Sequence, residues 1–196
     1  LTMIAGGRFD ILPGLSFDPQ VSMYNVYNTA YSFTPAYYNG TLSYVGSTNA
    51  SASNYRSIQD QIDAVFKYDK TFSEAHHLNV TAGFSYYGRE VDNFSAAGKG
   101  ASTDIVPTLN ASSTPTSVSS SISNHLILSY FGCAQYDYKQ KYLLSMSARY
   151  DGATNLGAAN RWGFFPGVSA GWNVHKEYFW HWSPNALSSL KIRASY

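Results

Sequence analysis

The sequence predicts an all-β fold, an antiparallel up-and-down β-barrel that spans a membrane. Apolar and polar residues alternate with a period of two along most of the chain, as they do in a strand with one apolar and one polar face. Short turns alternate with long polar connections, which is the pattern of an outer-membrane barrel. The 17 Tyr and 4 Trp, in a chain with only 13% charged residues, suit boundaries between an apolar phase and water.

The alternation predicts about eight strands. In YLLSMSARYD (142–151) the apolar or amphipathic residues Tyr142, Leu144, Met146, Ala148 and Tyr150 alternate with Ser145, Ser147, Arg149 and Asp151. Several predicted strands exceed the roughly 9–11 residues of a tilted bilayer crossing, whereas soluble sandwiches use strands of about 5–6 residues. Length therefore favours a barrel whose strands extend beyond the membrane. The predicted strands are 2–10, 15–27, 54–72, 77–88, 122–138, 142–151, 163–175 and 187–196.

The predicted connections differ in length between the two ends of the strands. Short turns are expected at 12–14, 73–75 and 139–141, with a somewhat longer aromatic connection at 176–185. Long polar loops are expected at 28–53, 89–121 and 151–162. The Ser- and Thr-rich segment 101–121 reads as a mobile extracellular loop.

Aromatic residues cluster near both kinds of connection, which predicts one aromatic girdle at each membrane interface. The alternative is that Tyr and Phe are simply good strand formers, but this does not explain the aliphatic residues in the middle of the strands. The girdle at the short turns comprises Tyr68, Phe72, Tyr136, Tyr138, Tyr142, Phe179, Trp180 and Trp182, and the girdle at the long loops comprises Tyr86, Tyr87, Tyr150, Trp162, Phe164 and Phe165.

Composition argues against several functions. A formal net charge of +1 gives no reason to expect a nucleic-acid partner. One cysteine, Cys133, excludes an internal disulfide framework and a Cys-based zinc cluster, and we place it on the lumen side of a strand. No run approaches 18 apolar residues, so no transmembrane helix is predicted.

Chemical motifs are sparse. His76 and His77 are adjacent near a short turn, but no third ligand lies at a suitable spacing, so we expect no metal site. Paired carboxylates occur at 60 and 63 and at 90 and 92, where a solvated lumen or loop is the simpler interpretation than a glycosidase pair. We therefore expect no catalytic residues and no cofactor.

The long loops are the candidate surface for a ligand or a lid protein. Tyr37, Tyr38 and Tyr44 are the candidate contact residues, because sugars stack on aromatic faces. Packing within the loop is the alternative role for these three residues.

The run KYLLSMSARYDGATNLGAANRWGFFPGVSAGW (141–172) resembles the signature of SusC/RagA-type TonB-linked outer-membrane transporters. The flanking runs SNHLILSYFGCAQYDYKQ (123–140) and LSSLKIRASY (187–196) are also similar to that family, so the match is dense from 123 to 196. The chain departs from the pattern at ATNL (153–156) and at Cys133. The matching motif residues, to which the resemblance gives a structural role, are Asp151, Gly152, Asn160, Arg161, Trp162, Gly163, Pro166, Gly171 and Trp172.

The resemblance implies a barrel of about 22 strands closed by a plug, in the bacterial outer membrane with its lipid and lipopolysaccharide. It also implies import of oligosaccharides or peptides, a SusD-like lipoprotein as lid, and force supplied by TonB through the plug. We do not recognise the plug or the TonB box in residues 1–196. We therefore expect the chain to be part of the barrel domain.

Both ends support the expectation of an internal piece, because the chain starts without Met and ends inside an alternating run. The alternative prediction is a small outer-membrane or soluble all-β module for binding or adhesion.

Overall fold

A computed structural model describes residues 1–39, 41, 43–180 and 187–196, and these residues are almost entirely β-strand. Three short 3₁₀ helices, Leu109–Ala111, Ala158–Asn160 and Val174–Lys176, lie between strands. Within the described part of the chain, no helix is long and apolar enough to cross a membrane. The strands are β1 (Thr2–Gly6), β2 (Phe9–Leu12), β3 (Leu15–Thr34), β4 (Tyr37–Asn39), β5 (Ser43–Val45), β6 (Asn49–Phe72), β7 (His76–Ala101), β8 (Ser112–Tyr138), β9 (Tyr142–Ala153), β10 (Trp162–Asn173) and β11 (Lys191–Ser195).

The main sheet is antiparallel and up-and-down, as predicted. Its order is β1-β3-β6-β7-β8-β9-β10-β11, with β2 also paired to β3. From β3 onward each strand of this sheet pairs with the next one along the chain, apart from the small separate hairpin β4-β5, while β1 and β2 both pair with β3. Short turns dictate this arrangement because a chain that reverses within a few residues must pair with the strand it has just left.

All three predicted short turns are confirmed. At 73–74 and at 139–140 both central residues have positive φ, between 49° and 55°. The turns close through hydrogen bonds from Ala75 N to Phe72 O (3.2 Å) and from Lys141 N to Tyr138 O (2.8 Å). Positive φ at both central residues is the feature of type I′ turns, whose twist matches that of the paired strands.

The long loops at 28–53 and 89–121 are shorter than predicted, because strands continue into them. β3 runs to Thr34 and β6 begins at Asn49, while β7 reaches Ala101 and β8 begins at Ser112. The expected loop over 101–121 is therefore wrong for residues 112–121. The side-chain amide of Asn93 donates to the hydroxyl of Ser121 (3.4 Å) across β7 and β8. Paired backbones need no apolar residues, so a Ser- and Thr-rich composition does not end a strand that already has a partner.

Three further predicted strands are also corrected. The strand expected at 2–10 is divided into β1 and β2, and Gly7 N donates instead to Pro19 O (3.1 Å). The strand expected at 187–196 begins only at Lys191, and the one expected to reach 175 ends at Asn173, where a 3₁₀ helix follows.

The chain divides into two compact units. The first comprises Leu1–Met3, Met23–Gln59 and Gly88–His125, and the second comprises Ile4–Ser22, Asp60–Tyr87 and Leu126–Tyr196. Among the described residues, the buried hydrophobic side chains are only Ala50, Ala96 and Val174. Large apolar side chains such as Ile4, Phe9 and Phe164 are exposed instead.

Candidate functional site: two faces, an aromatic end and a loop rim

The strand register of the second unit divides its side chains between two faces. Residues directly opposite each other in an antiparallel pair lie on the same face. Leu144 is opposite Tyr136 and Ala170, whereas Ser145 is opposite Gln135 and Ser169. We call the side that carries Leu144 the apolar face and the side that carries Ser145 the polar face. The alternation predicted for 142–151 is thus confirmed.

Cys133 lies opposite Ser147, on the polar face, as predicted. The thiol is free and half-buried. Its contact is the side-chain amide of Gln135, whose Nε2 lies 4.0 Å from the sulfur. The Cys133 thiol is therefore part of the polar face.

The polar face carries ion pairs and hydrogen bonds between neighbouring strands. Arg149 Nε lies 2.8 Å from both carboxylate oxygens of Asp151, and its Nη2 donates to Ser129 Oγ (3.1 Å). Ser129 is almost fully buried, with 1% of its surface exposed. On the same unit, Lys67 Nζ donates to Asp18 (2.7 Å). These pairs match charges between neighbouring strands, although Asp18 Oδ1 is buried without a hydrogen-bond partner, and charged groups of this kind suit a polar wall.

His76 and His77 contact different partners. His76 Nδ1 lies 2.6 Å from Tyr136 Oη, on the apolar face. His77 lies between two carboxylates, with Nδ1 3.0 Å from Asp137 and Nε2 3.1 Å from Asp69. Adjacent residues on a strand point to opposite faces, so the two imidazoles cannot share an ion. No group of three or more possible metal ligands occurs within residues 1–39, 41, 43–180 and 187–196.

Asp60 and Asp63 do not form a catalytic pair. They lie three positions apart in β6, so their side chains point to opposite faces. Asp63 instead accepts hydrogen bonds from Ser85 Oγ (2.5 Å) and Gln61 Nε2 (2.7 Å). Its carboxylate is thus part of the polar face.

The motif YDGATNLGAANRW (150–162) folds around Gly152. Trp162 lies directly opposite Gly152 across β9 and β10. A Cβ atom at Gly152 would lie 2.8 Å from three atoms of the Trp162 ring. The ring also stacks on Tyr150, with centroids 4.8 Å apart and planes at 14°. Only glycine leaves room for the indole here, so Gly152 and Trp162 are required together.

The connection between β9 and β10 is closed by backbone contacts. Ala153 N donates to Arg161 O (3.0 Å), and Asn160 N donates to Gly157 O (2.9 Å). Thr154 Oγ1 accepts a hydrogen bond from Leu126 N (2.9 Å) on β8. The loop predicted at 151–162 is therefore compact, with its non-strand part confined to residues 154–161.

The girdle predicted at the long loops is wrong where it includes two consecutive strand residues, at Tyr86 and Tyr87 in β7 and at Phe164 and Phe165 in β10. Phe164 lies opposite Tyr150 on the apolar face, but Phe165 lies opposite Arg149 on the polar face. Two consecutive strand residues cannot both belong to one interfacial belt. Phe165 therefore lies on the polar face, and the clustering of aromatic residues in the sequence did not predict this position.

Stacked rings line the short-turn end of the apolar face. Tyr142 stacks between Tyr138 and Trp172, with centroid distances of 6.4 Å on each side. Phe179 meets the edge of Trp172 at 6.4 Å. The girdle predicted here thus forms a continuous ladder at these four residues, whereas Trp182 lies outside the described residues.

Glu177 connects the row of stacked rings, which we call the aromatic ladder, to the turn at 139–140 through hydrogen bonds. Lys141 Nζ donates to its carboxylate (2.9 Å), and Trp172 Nε1 donates to the other oxygen (3.2 Å). Donation from Lys141, followed by that from the Tyr142 hydroxyl and from Trp172, holds the pKa of Glu177 below its ordinary value. The carboxylate is therefore ionised at neutral pH. No pattern in the sequence predicts this cluster.

The first unit carries a second polar cluster that was not predicted. Arg89 Nη2 donates to Tyr55 Oη (3.2 Å), and its Nε donates to Ser57 Oγ (3.4 Å). Ser57 is 1% exposed. An arginine that crosses from β7 to β6 in this way ties the two strands together.

The candidate ligand tyrosines lie in the separate hairpin. Tyr37 is opposite Val45, Tyr38 is opposite Tyr44, and the side chain of Tyr37 is exposed. The side chains of Tyr38 and Tyr44 lie outside the described part of the structure. The hairpin follows a segment held by Ala36 N, which donates to Asp104 (3.3 Å). The backbone of Ala101 is likewise tied to the buried Thr48, through Oγ1 at 2.6 Å.

Comparison with known proteins places these features in one family. No family model matches the chain. The chain is 31% identical over 158 residues, 80% of its length, to TonB-dependent receptor P3 of Formosa agariphila, and it spans 15% of that relative. It is 39% identical over 67 residues, 34% of its length, to TonB-dependent receptor SusC of Bacteroides thetaiotaomicron, and it spans 7% of that protein.

The fold is similar to that of a solved transporter. A structure described as the RagAB peptide transporter superposes with a TM-score of 0.89, at 18% identity, over 99% of this chain and 22% of the other. From the sequence identity along most of its length the chain belongs to the TonB-dependent receptors, and it has the fold of part of such a β-barrel.

Proposed function

We propose that this chain is part of the barrel domain of a receptor in the bacterial outer membrane, and that the receptor imports nutrients. The observation that carries the proposal is the division of the second unit into an apolar face of exposed large side chains and a polar face of ion pairs. An apolar outer surface suits hydrocarbon, and a polar inner surface suits an aqueous lumen. The shortage of buried large apolar side chains argues against the soluble all-β module.

The substrate is an oligosaccharide or a peptide. The similar structure is named a peptide transporter, which supports a peptide, and the oligosaccharide class is what the sequence resemblance implies. A SusD-like lipoprotein acts as the lid over the loops, and TonB supplies force through a plug outside residues 1–196. The protein binds and moves its substrate without chemical change, so it is not an enzyme.

Uptake by cells tests the proposal. A strain without the complete gene is compared with one that carries it, using labelled oligosaccharides and labelled peptides of defined length. We expect the intact strain to accumulate one of the two classes, and accumulation to stop when a protonophore removes the energy that TonB uses. Receptor found outside the outer-membrane fraction, or uptake unaffected by the protonophore, would contradict the proposal.

Tyr37 is the described residue that we assign to ligand or lid contact. Tyr37→Ala in the full receptor is expected to weaken uptake about tenfold, equivalent to about 1.4 kcal/mol, because a buried aromatic contact dominates small interfaces. Initial uptake rates of the substrate identified above give the measurement.

Tyr31→Ala is the matched control, since Tyr31 is an exposed tyrosine at the end of β3 in the same unit. Its uptake rate should match that of the wild type. Equal loss in both variants would mean that Tyr37 stabilises the loops and does not contact the ligand.

A further inference from the structure

A groove on the apolar face lies beside the aromatic ladder. Along the row nearest the turn, Tyr142, Trp172 and Ile192 are opposite one another. In the next row, Leu144 is opposite Ala170, which is opposite Ala194. The surface therefore drops from large to small side chains between β9 and β11. We call this depression the outer groove, lined by Tyr142, Leu144, Ala170, Trp172, Ile192 and Ala194.

The outer groove has the size and chemistry of a site for a hydrocarbon chain. Its volume is about 520 Å³, within the range of small-molecule sites. The two alanines form its floor, and Trp172 and Ile192 form a wall toward the turn. Arg193 also borders the groove, and the rest of its lining is apolar or aromatic, which suits an acyl chain better than a polar ligand.

Cationic side chains lie at the same end of the strands. Lys139 Nζ lies 5.4 Å from the centroid of the Tyr138 ring. Lys176 Nζ donates to the neutral amide of Gln140 (2.5 Å), while Lys141 pairs with Glu177. Among the contacts described for these three lysines, only Lys141 meets a carboxylate. Two positive charges therefore remain for an anion beside the aromatic ladder.

We propose that the outer groove binds one anionic phospholipid, with an acyl chain over Ala170 and Ala194 and the phosphate near Lys139 and Lys176. The inference rests on the proposed function, because it needs the apolar face to meet a bilayer. Ammonium groups at a membrane surface attract anionic headgroups, and the rings of the ladder occupy the boundary between headgroup and chain. The lipid would cover the shallow part of the wall between β9 and β11.

Native mass spectrometry of the complete receptor in mild detergent tests the proposal. Palmitoyl-oleoyl phosphatidylglycerol is added to wild type and variants, and phosphatidylcholine with the same chains is added in parallel. We expect one retained phosphatidylglycerol in the wild type, with retention at least fivefold lower for phosphatidylcholine. Ala170→Leu, which fills the groove, and the double variant Lys139→Gln/Lys176→Gln should each reduce phosphatidylglycerol retention at least fivefold.

Ala148→Leu is the matched control, because Ala148 is exposed on the apolar face opposite Pro166, outside the outer groove. It should retain the lipid like the wild type. Equal retention by A170L and A148L, or of the two lipids, would overturn the proposal, since either result describes a non-specific lipid shell. Membrane fractionation of the same preparations separates this outcome from failure of the proposed function, which would place the receptor outside the outer membrane.

Discussion

Replacing Gly152 with alanine is expected to destabilise the receptor by about 1–3 kcal/mol, the usual cost of forcing extra atoms into a packed position. The new Cβ would lie 2.8 Å from the Trp162 ring, which is held on its other side by Tyr150. The indole must move, and the stack with Tyr150 is lost with it. A lower midpoint of thermal unfolding of the complete receptor in detergent, at a fixed scan rate, would measure the effect.

Gly157→Ala provides the control from the same loop. Nothing lies within 4 Å of a Cβ at Gly157, and its φ of −57° suits any residue. The same chemical change should therefore leave the midpoint unchanged or raise it slightly, because alanine restricts the unfolded chain more than glycine does. If both variants lowered the midpoint equally, the contact between Gly152 and Trp162 would not be the reason.

The fold was predictable to the extent that it depends on local pattern. The alternation of 142–151 and the turns at 73–75 and 139–141 depend only on residues close together in sequence, and the structure confirms them. The extent of β7 and β8 was not predictable, because the segment from Ser112 onward is polar and is held as a strand by pairing across the sheet. A composition that reads as loop in isolation becomes strand when its partner supplies the backbone hydrogen bonds.

The site was less predictable, because its contacts join residues distant in sequence. Lys141 and Glu177 are 36 positions apart, and Arg89 and Tyr55 are 34 positions apart. No local motif marks either pair. The positions of the His76 and His77 side chains could have been predicted, since adjacent strand residues point to opposite faces. The same rule would have separated Phe164 from Phe165.

Trp172→Ala is expected to lower the free energy of unfolding by about 3 kcal/mol, near the lower end of the range for removing a large aromatic side chain. The change removes the stack on Tyr142, the edge contact with Phe179 and the donor to Glu177 together. Trp172→Phe keeps a ring in the ladder and removes only the N–H donor, so its loss should be smaller. The midpoint of thermal unfolding of the complete receptor, measured at a fixed scan rate, should fall from the wild type to Trp172→Phe and further to Trp172→Ala.

The pH dependence of that midpoint separates the hydrogen bond from the packing. Since the folded state lowers the pKa of Glu177, its contribution is complete above the unfolded pKa of glutamate, about 4.3, and is lost as pH falls through the folded value. Without the indole donor the pKa is lowered less, so Trp172→Phe should lose less stability on acidification and approach the wild type in acid. Parallel pH profiles of the two proteins would assign the role of Trp172 to packing alone, because a donor to a carboxylate acts only while that carboxylate is charged.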